Sequence, residues 1–496
     1  MSVDVETHWV RPARVADAPR DQIFNLSDYD YTMPTFNIPM VAVYPFAGGV
    51  DKKVLVDSLK ASLEQTLGQY VLFGGKLQVD EGTGRCLIKT SERDAVELTV
   101  KVHDGPGDEY MPTFSDLEKE SFPPMRLENR KILPRVVAEQ RSLTQYGDLT
   151  DDDAPVSMFM LTFIRGGLIL GIGLHHFATD ASGLDGFLQQ WAVNTRNLAA
   201  GNPLAQFDSR ILDRSQLTFS GPAPTAERFA ELDRRVKCVK LLDEAPQPPP
   251  PDANMPETSD VLFHFPKSRI AALKLEASPT AAAEDPASPR WVSSSDVVMA
   301  LCWRCMTRAR LPALEMDTVS ALMHAVNGRG RLDPPLPTYY VGNVAMHGRP
   351  ELPVEEIVTG GAFPRLAGLV RATNNEIDGS LYTAATEWAA AVPDKRRIAL
   401  NMRAYLGPDV GSTSWRSLTA HRTWDFGFGT PVAVRWPKPD LDGFVFYFPD
   451  RETGNPDQGV ELVVCLENGA MRRLLRDEEW LRYAKATAVP SCLCDE

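Results

Sequence analysis

The run GIGLHHFATDASG (171–183) holds two adjacent histidines and, four residues past the second, an aspartate. An imidazole titrates near pH 6.5 when unperturbed, so it can take a proton from a hydroxyl or an amine near neutrality. His176 and Asp180 stand in the spacing H-x-x-x-D. On a helical turn the two side chains share a face; on a loop the carboxylate can anchor the loop. His175 precedes on extended chain and points to the opposite side. Three readings stay open on these residues alone: hydrogen-bonded histidines at a strand end, a facial metal site of two histidines and a carboxylate, and a general base in a cleft.

The flanking sequence says what must position them. VSMFMLTFI and LILGIGL are apolar, partly β-branched runs joined by Arg-Gly-Gly, the pattern of a hairpin. The second run feeds directly into the histidines. After TDASG, the stretch LDGFLQQWAVNTRNLAAG has helical apolar spacing and a terminal glycine. The histidines therefore sit where a buried strand gives way to a helix, a corner that aims side chains into a cleft. Farther on, DGFVFYFPD and GVELVVCLE read as strands, and NGAMRRLLRDEEWLRYAKA as one closing amphipathic helix. The fold class is α/β with mixed sheets.

At 496 residues the chain exceeds one ordinary core. The stretch DEAPQPPPPDANMPETSD (243–260) favours extended polyproline, and ASPTAAAEDPASPR (277–290) reads as a loop. The expected division is a first domain over 1–240, a proline-rich crossover over 241–260 and a second domain over 261–496. With 43% hydrophobic and 24% charged residues, the composition is that of a soluble globular protein. A net charge of −14 argues against nucleic-acid binding, though a local basic pocket could still hold a small anion. No signal peptide, apolar span or lipidation box is visible, so a cytoplasmic location is expected, and separately a monomer. Seven cysteines make no disulfide framework. The C-x-x-C pair Cys302 and Cys305 lies within SSSDVVMALCWRCMTRAR, whose cap and spacing are those of an ordinary helix.

These pieces resemble the BAHD family of acyl-CoA-dependent acyltransferases. GLILGIGLHHFATDASG is similar to its H-x-x-x-D-G hairpin, and DFGFG (425–429) followed by TPVAVR to its D-F-G-W-G motif. SSSDVVMALCWRCMTRAR, VNGRGRLDPPLPTYYVGNV and TSWRSL resemble further family segments, in family order. Ala181 stands where the family has glycine, Phe428 where it has tryptophan, and the proline-rich crossover is unlike plant members; a fungal-type enzyme of specialised metabolism is expected.

The resemblance implies two similar mixed-sheet domains of the chloramphenicol acetyltransferase type, with a channel between them. An acyl group passes from acyl-CoA, a co-substrate, to a small-molecule alcohol or, less often, an amine. Neither a bound cofactor nor a metal is implied. His176, not His175, corresponds to the catalytic base. Asp180 is implied to pair with an arginine of NGRGR, Arg329 or Arg331, and so to hold the loop. Asp425, with Gly427 and Gly429, is implied to brace the second motif. Thr413 and Trp415 correspond to channel residues, the indole N–H being placed to donate to the developing oxyanion. Most CoA contacts are expected in the second half, where the helix starting at SSSDVV could offer backbone N–H groups and the hydroxyls of Ser294 or Ser295. A condensation-type domain using a carrier-bound thioester and a non-catalytic binding relative are the rival readings.

Overall fold

The computed structural model describes residues 4–13, 21–46, 51–105, 107–140, 153–245, 256–277, 289–361 and 363–494. The polyproline tract of the crossover and most of the 277–290 stretch lie outside the described residues.

The two apolar runs before the histidines form the strands Ser157–Ile164 and Gly167–His175, paired antiparallel around a turn in which Gly166 takes φ +78°. Both are buried along their whole length, which explains why they read as continuous apolar runs rather than alternating ones. Asn37–Pro45 pairs with all nine residues of Gly167–His175, setting Asn37 opposite His175. The complete sheet runs Asp4–Val10, Val96–His103, Ser157–Ile164, Gly167–His175, Asn37–Pro45, Ala433–Arg435. The helices Lys52–Gln69 and Ala181–Ala199 pack on it and on each other. The opposite face takes the short segments around Ile132 and Val137; a Cβ at Gly171 would lie 2.0 Å from the Ile132 carbonyl oxygen, so the strand must be bare there.

A second, eight-stranded sheet belongs to the other half. Its order is Ala345–Gly348, Val319–Asn327, Val410–Ser414, Phe444–Tyr447, Val460–Glu467, Thr258–Phe265, Lys485–Ala488, with Glu351–Pro353 added on Val319–Asn327. The helix Ser294–Ala309 lies behind it, with both Cys302 and Cys305 buried inside as reduced thiols. Burial pushes the Cys302 thiol up to about 12 and Cys305 well above the ordinary range. Neither is a thiolate near neutrality, so the C-x-x-C spacing is a helix surface turned inward.

Two features depart from the pattern read in the sequence. The closing segment is two helices, Asn468–Leu474 and Glu478–Tyr483. Asp477 breaks the run: its carboxylate accepts the Trp480 N–H as an N-cap and is gripped by Arg308 at 2.6 and 2.8 Å. Thr258–Phe265 of the second sheet begins within the stretch expected as crossover, and Ala433–Arg435 of the second half is an edge strand of the first sheet. Val239–Leu241 likewise pairs across with Ile398–Leu400. Among the described residues no helix is long and apolar enough to cross a membrane.

A buried polar joint accounts for the exchanged strand. Arg435, with no exposure, donates to the carbonyls of Ser121 and Phe122, both at 3.0 Å, and to Glu461 at 2.6 Å. Glu461 also receives Arg451. Burial pushes the Glu461 carboxyl up, but the two guanidiniums outweigh it and hold it below the usual range. Glu461→Gln leaves Arg435 with a buried, unmatched charge, a change that typically costs about 3–5 kcal/mol. We expect a lower denaturant midpoint and faster amide exchange at 433–435; an unchanged midpoint would mean that the joint carries no stability.

Candidate active site

The strand Gly167–His175 ends one residue before His176, whose own N–H donates to the Phe36 carbonyl at 2.8 Å. Asp180 is the N-cap of Ala181–Ala199 and accepts the N–H groups of Ser182 and Gly183 at 3.0 and 3.1 Å. Ala181 opens the helix at negative φ, so its Cβ causes no strain.

The two histidines diverge. His175 is buried, and its Nδ1 accepts the Phe177 N–H at 3.2 Å. Burial, aided by neighbouring His176, drives its pKa down to about 3. His176 is half-buried and lines a cavity of about 290 Å³ between the two halves. Its Nδ1 lies 3.0 Å from Asn343 Oδ1. The Asn343 amide NH₂ donates at 2.8 Å both to Asp30 Oδ1 and to the His176 carbonyl, so its oxygen must be the atom facing the imidazole. Nδ1 therefore carries the proton, and the Nε2 lone pair is free. Asp30 is itself fixed by the Asn343 N–H, by Ser27 and by Arg214. Burial lowers the His176 pKa from its ordinary value, against weaker opposing effects of its own carbonyl, Asp180 and Asn343.

Asp180 faces away from this hydrogen-bond chain. Arg329 donates to its two oxygens at 2.9 and 2.8 Å, and the Val344 N–H adds a bond of 3.0 Å. Arg331 instead reaches the carbonyls of Asn374 and Ile377, so the partner is Arg329. Burial pushes the Asp180 carboxyl up; Arg329 and the N–H donors outweigh it and hold it below the usual range.

Thr413 and Trp415 line the same cavity as His176. Trp415 is stacked on Trp436 with centroids 5.5 Å apart, and among the described residues nothing accepts its indole N–H. Asp425 is outside the cavity lining; its carboxylate accepts the N–H groups of Gly427 and Gly429, at φ +101° and +99°. That geometry needs glycine at both positions. Phe428 packs edge-on against Tyr44. Asp185, on the helix that Asp180 caps, receives the Thr419 N–H and the Trp424 indole N–H, tying the first motif to the second. Ser294 and Ser295 are exposed on the first turn of their helix and are not among the cavity-lining residues; the cap there is Ser293. Among the described residues no three side chains of metal-ligand type converge.

Asn343, Asp30, Arg214 and Asp185 are the participants that sequence reasoning left out. Asn343 lies inside the YVGNV segment, where an asparagine beside glycine reads as a turn residue.

Fold and site together define an acyltransferase built of two linked mixed-sheet halves around a shared cavity. The chain belongs to the Transferase family, that of the BAHD acyltransferases, whose model matches residues 5–481. It is 28% identical over 483 residues to acetyltransferase FGR3 of Gibberella zeae, covering 94% of this chain and 90% of that protein. It is 29% identical over 468 residues to a hydroxycinnamoyltransferase of Narcissus pseudonarcissus, covering 93% and 95%. Its fold matches Fusarium sporotrichioides TRI101 complexed with coenzyme A and T-2, with a TM-score of 0.73, 23% identity and coverage of 94% and 100%.

Asp180→Asn keeps the loop's volume but leaves the buried Arg329 charge unmatched, which costs about 3–5 kcal/mol. A carboxyl whose folded pKa is lowered contributes stability in full above its unfolded value of about 3.9, and loses it as pH falls through the folded value. The stability gap between wild type and Asp180→Asn should therefore narrow below about pH 4. Denaturant unfolding from pH 3 to 6 measures it, and a gap independent of pH would contradict the assignment.

Proposed function

We propose that this protein transfers an acyl group from acyl-CoA directly to the hydroxyl of a small specialised metabolite, with His176 as general base. The observation that carries the reading is the fixed tautomer of His176, whose Nε2 lone pair belongs to an imidazole lining a cavity shared by the two halves. The complex of TRI101 with coenzyme A and T-2 supports a thioester donor and a small acceptor.

On this reading Nε2 takes the acceptor's proton as its oxygen attacks the thioester carbonyl. The indole N–H of Trp415 donates to the resulting oxyanion, and Thr413 lies beside it on the cavity wall. Collapse breaks the C–S bond, and the CoA thiolate takes the proton back from His176. No acyl-enzyme forms. Asp180 and Asn343 are positioning residues: the first fixes the loop, the second the tautomer.

The test is release of CoA thiol from acetyl-CoA with alcohol acceptors, alongside labelled acetyl-CoA added without acceptor. Denatured protein should retain no label; a stoichiometric acyl-enzyme would overturn direct transfer. His176→Ala should lower kcat by about 10²- to 10⁴-fold, the usual worth of a general base, whereas His175→Ala should act on folding. Equal kinetic losses in well-folded variants would reject the assignment. The pH profile gives a second check. Because burial lowers the His176 pKa, the neutral base persists below pH 6.5. The acid limb of kcat/KM should have its midpoint below that value, and a midpoint above 7 would point to another group.

A further inference from the structure

A second imidazole faces the same cavity. His347 lies on Ala345–Gly348, the edge strand of the second sheet, four residues after the Asn343 that holds His176. It is half-buried, and among the described residues its ring makes no hydrogen bond. Its backbone is pinned by pairing with Ala325, so the ring is presented from a rigid element. Burial, with the neighbouring His176 and His324 imidazoles, lowers its pKa to about 4. Near neutrality it is therefore uncharged and offers one donor and one acceptor.

The charged side chains of the cavity are all committed. Asp180 holds Arg329, Asp442 holds Arg310 at 2.8 Å, and Arg396 is clamped on Asp394. The Lys395 ammonium donates to the carbonyls of Ala389 and Ala390. The rest of the wall is largely apolar and includes Met33, Met323 and Met402, side chains that adapt to varied shapes. An anionic acceptor would meet cations already bonded to other acceptors, Lys395 to carbonyls and the arginines to carboxylates, and would bear the desolvation cost of a buried charge.

From this juxtaposition we infer that the acceptor is an uncharged, mainly apolar alcohol bearing a second oxygen besides the reacting hydroxyl, and that His347 is the specificity-determining residue that hydrogen-bonds that oxygen. The inference rests on the transferase reading, and its test is built to separate the two.

Three matched probes are 4-isopropylbenzyl alcohol, 4-acetylbenzyl alcohol and 4-(hydroxymethyl)benzoate: neutral without a second oxygen, neutral with one, and anionic. Their binding is read by fluorescence quenching of Trp415 and Trp436, which line the cavity, and their turnover by CoA release from acetyl-CoA. Wild type should bind the ketone about three- to tenfold more tightly than the isopropyl compound, the range expected of one net hydrogen bond, and should bind the carboxylate most weakly. His347→Leu should abolish the preference for the ketone while leaving isopropyl binding unchanged. His347→Gln, which keeps a donor and an acceptor, should retain part of it. The proposal is overturned if wild type shows no preference for the ketone, if the carboxylate binds best, or if folded His347→Leu keeps the wild-type ratio. Selective binding without turnover of any probe would uphold His347 and count against the transferase reading instead.

Discussion

The buried pair of Asp180 and Arg329 is the constraint on which the site depends. The aspartate comes from the first half and the arginine from the second, and each is less than a tenth exposed. Desolvating two charges is expensive, and a single good contact would not recover the cost. Here the carboxylate accepts from Ser182, Gly183, Val344 and both terminal nitrogens of Arg329. The guanidinium also donates to the Tyr340 carbonyl at 2.6 Å. Among the described residues the Arg329 Nε–H is the one proton of the pair left buried without a partner. The pair thereby fixes the strand-to-helix corner and, on the other side, the 340–344 segment that supplies Asn343. The orientation of His176 consequently exists only when the two halves are docked.

Other polar joints repeat this logic between the two halves. Asp185 binds Thr419 and Trp424, just before the second motif, and Arg435 is inserted between the Ser121–Phe122 carbonyls and Glu461. Tyr29 donates to the Ala345 carbonyl at 2.9 Å, linking the first half to the strand that carries His347. The larger apolar cluster is continuous across the halves, joining Leu59, Phe187 and Trp191 of the first to Trp415, Trp436 and Phe446 of the second, while a further cluster fills the second half behind its sheet. Directional contacts set the spacing between the halves. A purely apolar interface would favour closing the gap, whereas buried charge pairs with fixed geometry hold the halves in register and leave the cavity open between them.

How much of this was legible in the sequence follows from the range over which each feature is encoded. The hairpin, the corner and the capped helix were readable because apolar runs and N-cap chemistry act over a few residues. The second motif was found only through its family resemblance; the positive φ of its two glycines shows why those positions are glycine. The choice between Arg329 and Arg331 was not: the two have identical chemistry and stand two residues apart, and only the short 3₁₀ turn they share sends one to Asp180 and the other to Asn374 and Ile377. The bond from Asn343 to Asp30 spans 313 residues and leaves no periodic trace. Ala433–Arg435 is too short, at three residues, to show alternation. The closing helix was read as continuous because Asp477 reads equally as an exposed helix charge or as a cap, and the choice depends on Arg308 in another element.

The chain Arg214–Asp30–Asn343–His176 also bears on why an asparagine, rather than a carboxylate, touches the imidazole. A carboxylate on Nδ1 would fix the same tautomer but would favour the charged ring and raise its pKa. An amide oxygen orients the ring by a dipole alone, so burial dominates and the imidazole stays neutral. The negative charge of Asp30 is kept one residue farther back and matched by Arg214. On the proposed reading this gives a modest base that holds a proton poorly. Such a base suits a reaction in which the proton taken from the acceptor must pass to the departing thiolate in the same encounter. The weak grip of the site on an imidazolium then favours completing the transfer over stalling with a charged histidine and an unreacted alkoxide.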